Sequence, residues 1–124
     1  MSSIFKFPAW ANGLSGKFGP SSTETLAAAK TIDADDAMIL KLDPAGAGRD
    51  VNLPAEGNIG AVGQYYVIIN AADAAEDLTV KNDGGDTIGT VSQNEAGIFY
   101  NAGLSDAGAE SSWTLVFIVT GAIS

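Results

Sequence analysis

The chain has 124 residues, no cysteine, no histidine, and fifteen acidic against six basic residues, a net charge of −9. These counts exclude disulfides, thiol nucleophiles, Ser-His-Asp and Cys-His catalysis and zinc sites with the usual nitrogen and sulfur ligands. The acidic balance argues against nucleic acid and anionic membranes as partners, while 46% apolar residues suffice for one core.

Residues 1–20 differ from the rest. They hold Lys6 and Lys17 and no acid, whereas the remaining residues set four basic side chains against all fifteen acids, a balance of −11. Phe5, Phe7, Trp10 and Phe18 lie in this leader among Pro8, Gly13, Gly16, Gly19 and Pro20, with no sustained period of 2 or 3.6. Lys6, Pro8 and Asn12 also interrupt any signal-peptide core. The pattern predicts an extended arm over residues 1–22 that inserts aromatic rings into a partner, with a reach of roughly 65–70 Å over twenty residues. The competing reading folds the same rings back over the chain's own core.

From residue 23 onward, short apolar runs alternate with turn residues. A first run covers residues 25–32, and Ala27–Ala29 together with a Ser21/Glu24 capping box also admits a short helix over residues 22–30. Residues 38–42 form a second run, stopped by Asp43-Pro44 and a glycine-rich turn. Residues 50–53 alternate strictly and end at Pro54. Residues 64–70, Gln-Tyr-Tyr-Val-Ile-Ile-Asn, have the composition of a strand buried on both faces. Residues 71–76 are a second, weaker helix candidate. Asn82-Asp83-Gly84-Gly85 predicts a hairpin between residues 77–81 and 87–91. Residues 96–101 and 113–120 complete about eight strands, with the longest strongly apolar stretch far short of the about 20 residues of a membrane helix. The expected architecture is all-β: one antiparallel sandwich or barrel, jelly-roll-like, over residues 23–124.

The chemistry-bearing residues point away from catalysis. Asp33, Asp35 and Asp36, and Asp83 with Asp86, have oxygen ligands suited to calcium but not the spacing of an EF-hand loop. Paired carboxylates for glycoside hydrolysis arise by chance among fifteen acids. Gly46-Ala47-Gly48-Arg49 lacks the lysine and hydroxyl residue of a phosphate loop. The reading is a non-enzyme with no cofactor and no metal. Tyr65 and Tyr66 are neighbours on a strand, so one points inward and the other outward. Both are candidate subunit contacts, with sugar stacking as the alternative use.

The runs Ala37-Met38-Ile39-Leu40-Lys41-Leu42-Asp43 and Arg49-Asp50-Val51-Asn52-Leu53-Pro54-Ala55, then Gly63-Gln64-Tyr65-Tyr66-Val67-Ile68-Ile69-Asn70, Gly84-Gly85-Asp86 and Trp113, resemble small β-domains of tailed-bacteriophage virion proteins. Such domains occur in capsid decoration (cement) proteins and in fibres. The resemblance spans roughly residues 25–120, with the late Asp-Gly to Trp spacing stretched between Asp106-Ala107-Gly108 and Trp113. It implies a homotrimer, made in the host cytoplasm, that sits on the capsid exterior, contacts the major capsid protein and stabilises the shell. Phe5, Lys6, Phe7, Trp10, Lys17 and Phe18 would then be the capsid-binding arm. The alternative within the resemblance is a receptor- or glycan-binding fibre domain. A start at Met1 without coiled coil or repeat favours the stand-alone decoration protein.

Overall fold

The computed structural model describes residues 22–33, 36–55, 64–101 and 113–121. The leader residues Phe5, Lys6, Phe7, Trp10, Lys17 and Phe18 lie outside them, as does Asp35. Among the described residues there are nine strands and no helix: β1 (Ser22–Thr25), β2 (Lys30–Thr31), β3 (Ile39–Asp43), β4 (Arg49–Asn52), β5 (Tyr65–Asn70), β6 (Leu78–Lys81), β7 (Thr87–Val91), β8 (Glu95–Asn101) and β9 (Trp113–Thr120). The all-β expectation therefore holds. Ser22, counted with the arm on sequence, is the first residue of β1 and pairs with Leu40.

The strands form a five-stranded sheet, β1-β3-β5-β8-β9, and a four-stranded sheet, β2-β4-β6-β7. Here the expectation of one antiparallel sandwich or barrel needs correction: the two sheets are mixed, and they do not close into a barrel. The β1-β3-β5 and β2-β4-β6 ladders are parallel, and only β5-β8-β9 and β6-β7 are antiparallel. The first six strands alternate between the two sheets. A parallel return within one sheet needs about a dozen connecting residues, yet Pro44–Gly48 is all that separates β3 from β4. The chain crosses to the other sheet at each of its first five links, and β3, β4, β5 and β6 each lie parallel to the strand two before them in sequence. Backbone bonds continue the ladders past the strand ends, from Leu26 N–H to the Asp43 carbonyl (2.8 Å) and from Ile32 N–H to the Asn52 carbonyl (2.9 Å).

Those bonds also explain why residues 22–30 are not helical. Leu26 and Ile32 are buried in the core, and burying them through two strands outweighs the weak preference of three alanines for helix. The run expected over residues 25–32 is split accordingly into β1 and β2. The second helix candidate, residues 71–76, is a loop organised by the Asn70 carboxamide. Asn70 Oδ1 accepts the Ala72 N–H (2.8 Å), and its Nδ2 donates to the carbonyls of Glu76 (2.7 Å) and Val91 (2.8 Å). The expected hairpin forms: Gly85 takes φ +92° and β7 returns antiparallel to β6.

One hydrophobic cluster draws on both sheets. Leu40, Leu42, Tyr66, Ile68, Phe99 and Trp113 come from the five-stranded sheet and Val51, Leu78, Val80 and Val91 from the four-stranded one. The Phe99 ring lies against Gly97 of its own strand and Gly89 of β7. A Cβ on Gly97 would stand 2.8 Å from Phe99 Cε1 and 3.0 Å from Ile118 Cδ1. Gly97→Ala is therefore expected to cost about 1–3 kcal/mol through overpacking, read as a lower denaturation midpoint at unchanged m-value. An alanine variant as stable as the parent would mean that the ring shifts freely.

Candidate interaction surface

Strands β3, β5, β8 and β9 each turn alternate residues away from the core, and the register aligns those residues into rows. Ile39, Val67, Ile98 and Phe117 are direct cross-strand partners in sequence across the sheet. Lys41, Ile69, Ala96 and Val119 form the next row, and Tyr65, Tyr100 and Thr114 a third. The result is an apolar outer face on the five-stranded sheet. Its centre is half-buried and its β9 side is open, with Phe117 48% and Val119 41% exposed. Lys41 and Asp43 of β3 supply its charges, and Thr23 and Thr25 of β1 border it.

Residues 64–70 are thus not buried on both faces. Tyr66, Ile68 and Asn70 point into the core, while Tyr65, Val67 and Ile69 face outward. Of the two tyrosines proposed as subunit contacts, Tyr66 is fully buried and only Tyr65, 37% exposed, is open to a neighbour. The Tyr66 ring lies 5.8 Å from that of Trp113 at 40°. Burial raises its hydroxyl pKa, with the charges of Asp36 and Asp33 adding to the effect and the hydrogen bond from Gln64 opposing it.

The face also depends on a feature of β9 that its apolar sequence conceals. The register shifts between Ile98 and Phe99, so that Ile98 pairs with Phe117 but Phe99 with Leu115, leaving Val116 as an extra residue. A bulge of this kind resets the alternation. Trp113 and Leu115 on one side of it, and Ile118 on the other, all pack on the core, while Phe117 and Val119 are directed outward. Without the bulge, Leu115 and Phe117 would share a face.

The acidic groups serve the backbone. Asp36 accepts the Asp33 N–H (2.9 Å) and pairs with Lys30 (3.3 Å), which also pairs with Glu24 (2.8 Å). Burial pulls the Lys30 pKa down, but the hydrogen bond to Glu24 and the charges of Asp36 and Glu24 outweigh it, so the ammonium is held above its ordinary value. In the hairpin, Asn82 Oδ1 accepts the Asp86 N–H (2.9 Å). Buried Glu76 accepts the Gly46 N–H through Oε2 (2.6 Å), fastening the glycine-rich turn to the loop before β6. No three acidic side chains converge on a cation position among the described residues.

A cleft of about 370 Å³ lies where β2, β4 and β6 end, walled by Asp33, Asn52, Asn82 and Asp83 and by the apolar Ile32, Leu53, Pro54 and Ala55. Its described walls carry no aromatic ring on which a sugar would stack.

No family model matches this sequence, and no curated protein does. Among solved structures, one chain in a structure of a chaperone-substrate complex is similar over 77% of this chain, with 19% identity and a TM-score of 0.46. This chain spans 17% of the length of that one, and at this level the likeness carries no argument about fold or role.

Proposed function

We propose that this protein is a non-enzymatic structural component of a tailed-bacteriophage virion. It binds the capsid exterior as a homotrimer and stabilises the shell through contacts with the major capsid protein. The observation that carries this reading is the apolar outer face of the five-stranded sheet, from Ile39 to Phe117 and Val119. A contiguous apolar surface at this position is a cost to a chain that works alone and an asset to one that works in an assembly. The resemblance in sequence supplies the capsid as the assembly. Two sheets sharing one cluster support a sandwich architecture, and an acidic body with a cationic aromatic leader supports the leader as anchor. Three leaders on one trimer would combine modest affinities as avidity.

The test is binding to expanded empty capsids. Removing residues 1–20 should abolish binding while the circular dichroism of the body is retained. Trp10→Ala in the full chain should weaken binding by about tenfold or more, the scale of an interface hot spot, with the melting temperature unchanged. Saturation of capsids by the truncated chain would place the anchor elsewhere. Equal losses of affinity and stability in Trp10→Ala would favour the leader packing on its own core. A second reading, a receptor- or glycan-binding fibre domain, draws on the amide side chains of Asn52 and Asn82 at the cleft. Saturable glycan binding lost in Asn52→Ala would favour it.

A further inference from the structure

We infer that the cleft at the ends of β2, β4 and β6 is a binding site for a lysine-bearing segment of extended peptide. The inference goes beyond the capsid reading and does not rest on it.

Hydrogen-bonding capacity left over at the cleft is the first observation. Asn82 lines it and is 7% exposed. The Asn82 Oδ1 accepts the Asp86 N–H at 2.9 Å, which fixes the orientation of the carboxamide. Its Nδ2 group, by contrast, has no acceptor among the described residues. A donor buried to this degree is normally paired. The register sets Asn52 of β4 opposite Lys81, one position before Asn82. Asn52 spends its Nδ2 on Thr31 Oγ1 at 3.4 Å, and its Oδ1 accepts no bond among the described residues. A free amide donor and a free amide acceptor on adjacent strands match the carbonyl and N–H of a peptide group.

Charge is the second observation. Asp33 and Asp83 stand in the walls of the cleft, and no lysine or arginine does. Lys30 and Lys81, the bases nearest in sequence, are engaged with Glu24 and Asp36 and with Asp50. The exposed Asp83 carboxylate has neither ion pair nor hydrogen bond among the described residues. The cleft therefore favours a cation.

A bare metal ion does not fit. No three acidic side chains converge among the described residues, and Asn82 offers N–H donors where a metal needs lone pairs. An ammonium on an alkyl stem meets both demands. Its charge faces Asp83, and its methylenes lie against Ile32, Leu53 and Pro54. At about 370 Å³ the cleft is near the lower end of the range for organic ligands, roughly 300–1,000 Å³. That is the scale of one side chain and its flanking peptide groups.

The test is titration of the isotopically labelled full chain with acetyl-Ala-Lys-Ala-amide, followed by amide NMR. Saturable shifts are expected at Thr31, Asn52 and Asp83 and at the side-chain NH2 of Asn82. Norleucine in place of the peptide's lysine keeps the stem without the charge and should bind about two- to fivefold more weakly, the scale of an exposed ion pair. Asp83→Asn should weaken the lysine peptide by a similar factor. Asn82→Asp keeps an oxygen for the Asp86 N–H and removes the free donor. In that variant the preference for the peptide over n-butylammonium, which has charge and stem but no peptide group, should fall. Absence of saturable shifts at these residues overturns the proposal. So does equal binding of the lysine and norleucine peptides, or a peptide preference unchanged in Asn82→Asp. Binding of a neutral sugar or of calcium at these residues, in place of the peptide, overturns it as well.

Discussion

Asn70→Ala is expected to destabilise the protein by about 3–5 kcal/mol, more than most single substitutions. Asn70 is 1% exposed at the end of β5, and its carboxamide makes three hydrogen bonds. One closes the loop that follows β5 onto the carbonyl of Glu76, and another reaches the carbonyl of Val91 at the end of β7 in the opposite sheet. Alanine leaves two buried carbonyls and the Ala72 N–H without this partner, at about 1–3 kcal/mol for each group that finds no other. For a domain of this size each kcal/mol moves the melting temperature by about 4 °C, so the midpoint should fall by about 12–20 °C. Asn70→Leu separates polarity from volume. It retains the bulk but not the hydrogen bonds, and it should lose nearly as much. Restoration of parental stability by leucine would show that the pocket wants a filled volume and that its carbonyls pair elsewhere.

Trp113→Ala is the second large effect, with an expected loss of about 3–5 kcal/mol from removing a buried aromatic side chain. Trp113 opens β9, and its ring, 5% exposed, packs beside Tyr66. Its indole N–H donates to the Pro54 carbonyl at 2.8 Å across 59 positions of sequence. The residue therefore fastens the last strand to the segment after β4. Trp113→Phe keeps most of the apolar area and gives up that hydrogen bond, so it should lose about 1–3 kcal/mol. Denaturant titrations of the two variants give the comparison. Equal losses in alanine and phenylalanine would assign the whole effect to the hydrogen bond. No loss in phenylalanine would assign it to packing.

Much of the strand content was legible because alternation is a local property. Residues 50–53 and 77–81 show it directly, and Asn82-Asp83-Gly84-Gly85 carries its own turn chemistry. The opposite orientations of Tyr65 and Tyr66 follow from the same two-residue period. The outer face was not legible. Residues 64–70 and 113–120 are apolar almost throughout, and an uninterrupted apolar run does not reveal which of its two faces is covered. In β9 the Val116 bulge further hides the register, because a shift set by pairing with Ile98 and Phe99 leaves no mark in the strand itself. The leader stood out by composition alone, through four aromatic rings and two lysines without an acid.

The sequence by itself determined that this chain builds strands, which side chains alternate within them, and that it lacks the thiols and imidazoles of the common catalytic sites. Those outcomes depend on neighbours a few residues apart. The tertiary structure alone decided which strands pair and in which direction, and which side of the five-stranded sheet stays open. For β1, β3 and β5 pairing is settled between residues 18 to 28 positions apart, because each strand's parallel neighbour lies beyond an intervening strand of the other sheet.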